Sequence, residues 1–300
     1  MSVHSKLRSF SVNLVSERTA FRIYARDPDS VRVRDPEADS SSSPGRPANP
    51  LVSCLMVTRG NIELLKYSFA CYRRQTYANR ELVIVAEPEA GEKVRAFIAL
   101  QKSSNVAVCV APPGLTLGDH RNLAVARSRG TILATWDDDD LSDPLRLEVA
   151  VQVLRRTDNR AAVLSRLLLW WPQRKLAAIS TRRPWEGTMV AWRNYLPIYP
   201  SKTRDEDVVT QVLFRTHRCV AIDSPLLYLY VVTGRNTSDV SHFESHFSRA
   251  ECCFEGDEFD ELSRILSRRL PLLDYAAALN EKHIAEIPRW IRPQIDNHFG

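Results

Sequence analysis

Four consecutive aspartates, Asp137 to Asp140, directly follow the apolar run at residues 132–136. Such a run predicts a buried strand, and four carboxylates at its end repel one another unless a cation offsets their charge. Oxygen ligands suit Mg²⁺ or Mn²⁺, which often join protein carboxylates to substrate phosphates. A solvated acidic turn that caps the next helix is the alternative, but Asp143 already suits that capping role. The run therefore predicts a divalent metal site.

A second acidic group, Asp205, Glu206 and Asp207, stands at the start of a helix predicted over residues 205–215. Acids at such a position are favoured by the helix dipole and commonly serve as caps. A carboxylate can also take the proton from a hydroxyl group that attacks a substrate. The residues alone leave both roles open.

Alternating strands and helices are predicted to position the aspartates. Apolar runs at 51–57, 81–85, 106–110 and 131–136 predict four strands, and helical apolar spacing lies between them. This alternation is typical of a doubly wound, mostly parallel, Rossmann-like α/β sheet, in which ligands bind beyond the carboxyl ends of the strands. The second half predicts a mixed set of strands, including one strand over 161–171, followed by a helical C-terminal tail.

The whole chain has the composition of an ordinary globular protein. Of its 300 residues, 44% are hydrophobic and 26% are charged, and the formal net charge of +5 does not single out nucleic acid as a partner. Its six cysteines include no CxxC pair, which favours reduced thiols. No apolar stretch approaches the roughly 20 residues that cross a bilayer, and the first residues lack the apolar core of a signal peptide. We therefore expect a cytoplasmic protein without a transmembrane segment.

Three regions are predicted along the chain. Residues 1–50 form an N-terminal arm and linker, partly disordered because 34–50 is rich in Ser, Pro and Asp and has almost no large apolar residue. Residues 51–250 form the α/β domain. Residues 251–300 form a helical extension that packs on the same domain.

Two sequence blocks resemble the family 2 glycosyltransferases, which have the GT-A fold. The blocks are PLVSCLMVTRGNIELLKYSFACYRRQTYANRELVIV at residues 50–85 and LGDHRNLAVARSRGTILATWDDDD at residues 117–140. The resemblance extends over residues 51–247. It implies an inverting enzyme that moves a sugar from a nucleotide diphosphate sugar to an acceptor hydroxyl, with a UDP-sugar as the expected donor.

The resemblance makes Asp137 and Asp139 the family's Asp-x-Asp motif, which holds Mn²⁺ or Mg²⁺ and faces the ribose. Asp140 matches a further acid that the family often has there, and it is expected to join the metal site. Because all four positions are aspartate, the register can shift by one residue. Asp138 is therefore also expected to contact the nucleotide sugar.

Further nucleotide contacts are implied at the ends of the first two strands. Thr58 and Arg59 stand where the family contacts the base and the phosphates. Glu87 stands where the family usually has the uracil-binding aspartate of Asp-Asp-Gly, and Ala86 and Pro88 depart from that pattern. Glu87 can still accept a hydrogen bond from the N–H of a base, but the departure leaves the identity of the base open.

Other implied contacts lie farther along the chain. Arg121 and Asn122 match the family's Arg-Asn pair, and we expect them to bind phosphate or to organise the aspartates. Gly187 would let the backbone approach the donor sugar closely. His242, or His246 four residues later on the same predicted helix, is expected to supply a further metal ligand, with His242 chosen, because Thr233 replaces the family's histidine.

Catalysis is assigned by the resemblance to Glu206 and Asp207, the family's Glu-Asp motif, with Asp207 as the general base. Two other functions remain as alternatives. A nucleotidyltransferase would use the same fold and metal site, although the chain lacks a phosphate loop rich in glycine and lysine after the first strand. A non-catalytic module that binds nucleotides or glycans would account for the departures at residues 86, 88 and 233.

Overall fold

The fold is a mixed α/β architecture built around two sheets, seen in a computed structural model that describes residues 2–9, 22–24, 47–203, 209–210, 213 and 219–280. The described helices are α1 (Val3–Ser9), α2 (Ile62–Arg73), α3 (Gly91–Leu100), α4 (Leu117–Arg127), α5 (Arg146–Arg156), α6 (Val240–Ser248), α7 (Asp257–Leu266) and α8 (Leu272–Asn280). The described strands are β1 (Arg22–Tyr24), β2 (Val52–Thr58), β3 (Arg80–Ala86), β4 (Val106–Val110), β5 (Ile132–Thr135), β6 (Leu141–Ser142), β7 (Ala161–Leu164), β8 (Leu168–Trp171), β9 (Leu176–Ile179), β10 (Trp185–Trp192), β11 (Cys219–Asp223), β12 (Tyr228–Val231) and β13 (Cys252–Glu255).

The larger sheet has the strand order β1-β11-β7-β10-β5-β2-β3-β4. β2 is parallel to both β3 and β5, and β3 is parallel to β4. These strands are continuous apolar runs because helices cover both faces of a parallel sheet. The predicted parallel α/β half is confirmed, and the antiparallel strand β10 beside β5 begins the mixed part.

The smaller sheet has the order β13-β9-β8-β12-β6. Its edge strand β6 follows the aspartates directly, so the aspartate turn at 137–140 runs from β5 in the larger sheet into β6 in the smaller one. β6 pairs with β12 in antiparallel orientation. The aspartates therefore lie where the two sheets meet.

The single strand predicted over 161–171 is wrong, because β7 belongs to the larger sheet and β8 to the smaller one. Arg166 lies between them and is buried. Its guanidinium forms a bidentate ion pair with Asp223, at 2.7 and 2.8 Å, and a further ion pair with Glu251. A buried guanidinium needs such partners, and reaching them breaks the strand.

Asp143 does not cap the following helix as predicted, since α5 begins at Arg146 with Leu145 as its N-cap. Instead, Asp143 Oδ1 accepts a hydrogen bond from the Leu145 N–H at 2.9 Å, and Asp143 Oδ2 lies 2.6 Å from Nε of Arg269. The turn after the aspartates is thereby fastened to the segment between α7 and α8.

Both ends of the described chain pack on the same core. Val3 and Leu7 of α1 are buried, and Lys6 forms an ion pair with Glu258 of α7. Tyr275 of α8 is fully buried. Among the described helices, none is long and apolar enough to cross a membrane. Most of the predicted linker and the last part of the predicted tail lie outside the described residues.

Candidate active site

A cavity of about 880 Å³ lies beyond the carboxyl ends of β2, β3 and β5. Thr58, Glu87 and the aspartates at 137–140 line it from these strand ends. Gly187 of β10 and Tyr228 of β12 also line it, next to Asp137. Because parallel neighbours end at the same edge of a sheet, their carboxyl ends provide the expected place for a ligand.

Asp137 is contacted by side chains from α4 and from β12. Its Oδ1 lies 3.6 Å from Nη2 of Arg121, on α4, and its Oδ2 lies 3.0 Å from the hydroxyl of Tyr228. A Cβ added at Gly187 would lie 3.1 Å from the same Oδ2. The close backbone approach at residue 187 is therefore made to this carboxylate, and a larger residue would press on it.

Asp140 anchors the aspartate turn to β12. Only 4% of this residue is exposed. Its Oδ1 accepts a hydrogen bond from the Val231 N–H at 2.8 Å, and its Oδ2 lies 2.6 Å from the Tyr228 hydroxyl. That hydroxyl has a single proton and lies between two carboxylates, so it links Asp140 to Asp137.

The two middle aspartates accept hydrogen bonds from different parts of the chain, one from the larger sheet and one from the loop after β12. Asp138 Oδ2 accepts one from the hydroxyl of Thr58, at the end of β2. Asp139 Oδ2 lies 3.0 Å from Nδ2 of Asn236, which follows β12. Asn236 also accepts a hydrogen bond from the Thr233 N–H, so Thr233 organises this loop where the family pattern has a histidine. Asn236 lies in the segment 228–247 that resembles the family, but sequence reasoning did not single it out as a site residue.

Side chains from two helices hold the backbone of the aspartate turn. The Tyr275 hydroxyl of α8 donates to the carbonyl oxygen of Asp139 at 2.5 Å. The Ser68 hydroxyl of α2 donates to the carbonyl oxygen of Asp137 at 2.6 Å. With its backbone fixed in this way, the turn cannot relieve the repulsion between its carboxylates by spreading apart.

Burial and mutual repulsion raise the pKa values of three aspartates. Burial raises the pKa of Asp138 to about 6, against the hydrogen bond from Thr58 and reinforced by the charge of Asp137. Burial, and then the charges of neighbouring aspartates, also hold the pKa values of Asp139 and Asp140 well above the ordinary carboxyl value. The negative charges of these aspartates are therefore not fully balanced by positively charged side chains.

One cation is buried beneath the aspartates. The guanidinium of Arg146 lies between the rings of Trp136 and Tyr228, 5.0 and 4.7 Å from their centroids. It donates to the Thr135 carbonyl oxygen at 2.7 Å and to the Ser142 hydroxyl at 2.9 Å. Sequence reasoning missed Arg146 because it stands within the apolar pattern of α5.

The residues present suit a divalent cation that brings part of its own ligand shell. Among the described residues, no three His, Cys, Asp or Glu side chains form a group that could hold a metal. Mg²⁺ is, however, commonly bound by one or two carboxylates, with water and substrate phosphates as the remaining ligands. The carboxylates of residues 137–140, which are held close together and line the cavity, fit that requirement.

The predicted contacts at the first two strand ends all line the cavity. Thr58 lies opposite Ala86 in the sheet register, which places Glu87 beside the end of β2. Arg59 Nε lies 3.2 Å from Glu87 Oε1. Pro88 begins a short 3₁₀ turn, and Glu87 still lines the cavity.

The two residues of the predicted Arg-Asn pair have different surroundings. Arg121 lines the cavity, as does the buried residue before it, His120. Asn122 does not line the cavity, because its amide bonds both ways to the backbone of Tyr199: Nδ2 donates to the carbonyl oxygen at 2.8 Å, and Oδ1 accepts from the N–H at 2.9 Å. Asn122 therefore fastens the segment around residue 199 to α4.

His242 of α6 also lines the cavity. Its Nε2 lies 3.1 Å from Nε2 of His246, one turn later on α6. Burial lowers the pKa of His242, and it lowers the pKa of His246 to about 4. The charges of Arg183 and Arg249 lower the pKa of His242 further, and that of Asp239 raises it. The structure thus pairs His242 with His246.

The predicted catalytic acids Glu206 and Asp207 lie outside the described residues. Thr203, just before them, lines the cavity, and Val209, just after them, is buried.

Comparisons with known proteins connect this site to a family and a fold. The family model "Glycosyl transferase family 2" matches residues 53–220. Similar solved structures include S. aureus TarS 1-349 in complex with UDP-GlcNAc, at 12% identity and a TM-score of 0.51, covering 72% of this chain and 65% of that chain. Another is the mannosyltransferase PcManGT from Pyrobaculum calidifontis in complex with GDP-Man and Mn²⁺, at 15% identity and a TM-score of 0.51, covering 81% and 73%. No curated protein sequence matches. These likenesses confirm the predicted GT-A fold.

Proposed function

The chain belongs to glycosyl transferase family 2, and on that premise we propose that it moves a sugar from a nucleotide diphosphate sugar to an acceptor hydroxyl, with inversion and with the help of a divalent cation. Membership of this family makes the protein a glycosyltransferase.

The aspartate turn is the observation that carries this proposal. Its four carboxylates stand at the end of a parallel strand and line a cavity of about 880 Å³, and burial raises the pKa values of Asp138, Asp139 and Asp140. A cavity of that size has room for a nucleotide sugar. A divalent cation bound there would neutralise the charge that develops on the leaving diphosphate.

We assign the cation to Asp137 and Asp139, which is the register that the family's Asp-x-Asp motif implies. Asp140 is only 4% exposed and its oxygens accept hydrogen bonds from Val231 and Tyr228, whereas the side chain of Asp137 is 27% exposed. Asp138 bonds to the Thr58 hydroxyl at the end of β2, which suits a contact with the ribose. The cation would be Mn²⁺ or Mg²⁺, since carboxylate oxygens suit both.

The donor nucleotide is UDP or GDP, with a UDP-sugar as the expected donor. An ionised carboxylate only accepts hydrogen bonds. Glu87 in the cavity therefore suits a base whose edge presents an N–H, as uracil and guanine do. The structures of TarS with UDP-GlcNAc and of PcManGT with GDP-Man support both nucleotides on this fold.

Asp207 is the proposed general base, and Glu206 is its partner in orienting the acceptor. A hydroxyl is a weak nucleophile until a positioned carboxylate takes its proton. The acceptor oxygen then bonds to the anomeric carbon from the face opposite the diphosphate, and the bond from that carbon to the diphosphate oxygen breaks. A single displacement of this kind inverts the configuration.

The test combines donor binding with product analysis. UDP- and GDP-sugars are incubated with the protein in Mn²⁺, Mg²⁺ or a chelator, and donor affinity and nucleoside diphosphate release are measured. We expect the double variant Asp137→Asn, Asp139→Asn to lose cation-dependent donor binding while it stays folded. Glu255→Gln, which neutralises an exposed acid on β13, is the matched control.

Three results would contradict the proposal. Full donor affinity in the double variant would show that Asp137 and Asp139 do not bind the cation. Release of pyrophosphate in place of nucleoside diphosphate would make the protein a nucleotidyltransferase. Donor binding without turnover, over a panel of saccharide, lipid and protein acceptors, would make it a binding module.

A further inference from the structure

His120, on the first turns of α4, has a buried polar atom that the fold leaves unused. Only 5% of the residue is exposed, and its Nε2 has no hydrogen-bond partner among the described residues. The ring forms part of the cavity wall. A buried polar atom without a partner destabilises a fold, so such an atom beside a cavity points to a ligand that completes it.

The start of α4 does not need a polar residue at this position. Thr116 and Asp119 form a complete capping box: the Thr116 hydroxyl accepts from the Asp119 N–H, and the Asp119 carboxylate accepts from the Thr116 N–H. His120 takes no part in these bonds. Its side chain is buried, and no capping role accounts for a polar residue at this position.

The neighbours of His120 in the cavity wall indicate which part of a ligand lies against it. Leu115 and Leu117 line the same region, and Arg121 approaches Asp137. Apolar side chains with one polar group suit the base and ribose, while the charged diphosphate belongs beside the aspartates and the cation. Helix α4 packs against β2 and β3, whose carboxyl ends carry the proposed base contacts Thr58 and Glu87, and we therefore assign this region to the nucleoside.

We propose that His120 recognises the nucleoside part of the donor through a hydrogen bond from its imidazole. The assignment rests on the proposed function and adds a specificity-determining residue to it. Rotation of the imidazole about its Cβ–Cγ bond exchanges ring carbon and nitrogen positions, so a ring nitrogen can reach the edge of the cavity that the ring already lines.

The experiment uses the full chain with His120→Leu and His120→Gln. Leucine fills the space without a polar atom, and glutamine keeps a donor and an acceptor. The probes are UDP, GDP and inorganic pyrophosphate, each with Mn²⁺, and their affinities are measured by calorimetry. The melting temperature of the ligand-free protein is measured for each variant.

The two readouts of His120→Leu should move in opposite directions. We expect the ligand-free variant to melt about 2–4 °C higher than the parent, because an unpartnered polar atom is removed. We expect its affinity for the preferred nucleotide to fall about 3- to 10-fold, and its affinity for pyrophosphate to stay unchanged. His120→Gln should keep nucleotide affinity within about 2-fold of the parent, because it can still form the hydrogen bond.

The outcomes separate this assignment from the proposed function. Equal nucleotide affinity in the parent and in His120→Leu overturns the assignment alone. Equal losses for UDP and pyrophosphate also overturn it, since the effect would then lie at the diphosphate. If His120→Leu does not fold, a large loss of nucleotide affinity in folded His120→Gln overturns the assignment, and affinity close to that of the parent supports it. A parent protein that binds none of the nucleotides overturns both the proposed function and the assignment.

Discussion

Asp138→Asn should make the metal-free protein more stable, because it removes one like charge from the aspartate turn. Burial raises the pKa of Asp138 from 3.8 to about 6. The folded protein therefore holds this proton more tightly than the unfolded chain does. The resulting penalty is absent below about pH 3.8, grows as the pH rises, and is fully present above about pH 6.

The size of the effect follows from this shift. A difference of about two pKa units corresponds to about 3 kcal/mol at pH 7.5, about 1.5 kcal/mol at pH 5 and less than about 1 kcal/mol at pH 4. These are upper values, because Asp138 is only partly buried and solvent screens its charge. The asparagine amide oxygen can still accept the hydrogen bond from the Thr58 hydroxyl, so that contact need not be lost.

The assay is urea unfolding of the parent and Asp138→Asn, in the presence of a chelator, at pH 4, 5 and 7.5. Glu255→Gln, with its carboxylate in solvent, is the control and should change stability little at any of these pH values. An Asp138→Asn protein that is less stable than the parent at pH 7.5 would refute the reasoning. A gain of the same size at all three pH values would also refute it, because the gain would then not come from charge.

Three further changes test other parts of the site. Asp207→Asn should slow transfer at least about 100-fold, while donor affinity and melting temperature stay close to those of the parent. Steady-state kinetics and calorimetry measure these quantities. A loss of donor affinity with an unchanged rate at saturating donor would make Asp207 a binding residue. Gly187→Ala places a Cβ 3.1 Å from Asp137 Oδ2 and should weaken Mn²⁺ binding, measured by an electron paramagnetic resonance titration. An unchanged Mn²⁺ affinity would show that the close approach at residue 187 does not position this carboxylate. His246 is buried with its pKa lowered to about 4, so it stays neutral in the folded protein and stability falls as the pH drops from about 6.5 towards 4. His246→Leu should lose less stability than the parent between pH 7 and 5 in urea unfolding, and equal losses would show that this ring does not contribute.

The parallel half of the fold was predictable because each of its strands is a separate apolar run bounded by polar residues. A strand buried on both faces leaves this signal in a single stretch of sequence. The place of Thr58, Glu87 and the aspartates at the strand ends followed from the same signal. The break at Arg166 was not predictable, because it depends on Asp223 and Glu251, which are distant in the sequence.

The groups that hold the aspartates were not predictable for the same reason. Tyr228 lies 91 residues from Asp137, and Asn236 lies 97 residues from Asp139. Arg269 lies 126 residues from Asp143 and forms an ion pair with it. Each of these contacts forms where the two sheets or their covering helices meet, and no local pattern of residue types specifies that meeting.

The position of the aspartate turn between the two sheets determines which part of the chain can be exchanged with a relative. The family match ends at residue 220, yet the bonds from Tyr228, Asn236 and Tyr275 to the turn come from beyond that point. A chimaera that exchanges only 53–220 would combine the acids of one parent with the supporting side chains of the other. An exchange that starts before residue 53 and continues beyond Tyr275 would keep each acid with the side chains that support it, so hybrids made in this way should retain the geometry of the turn.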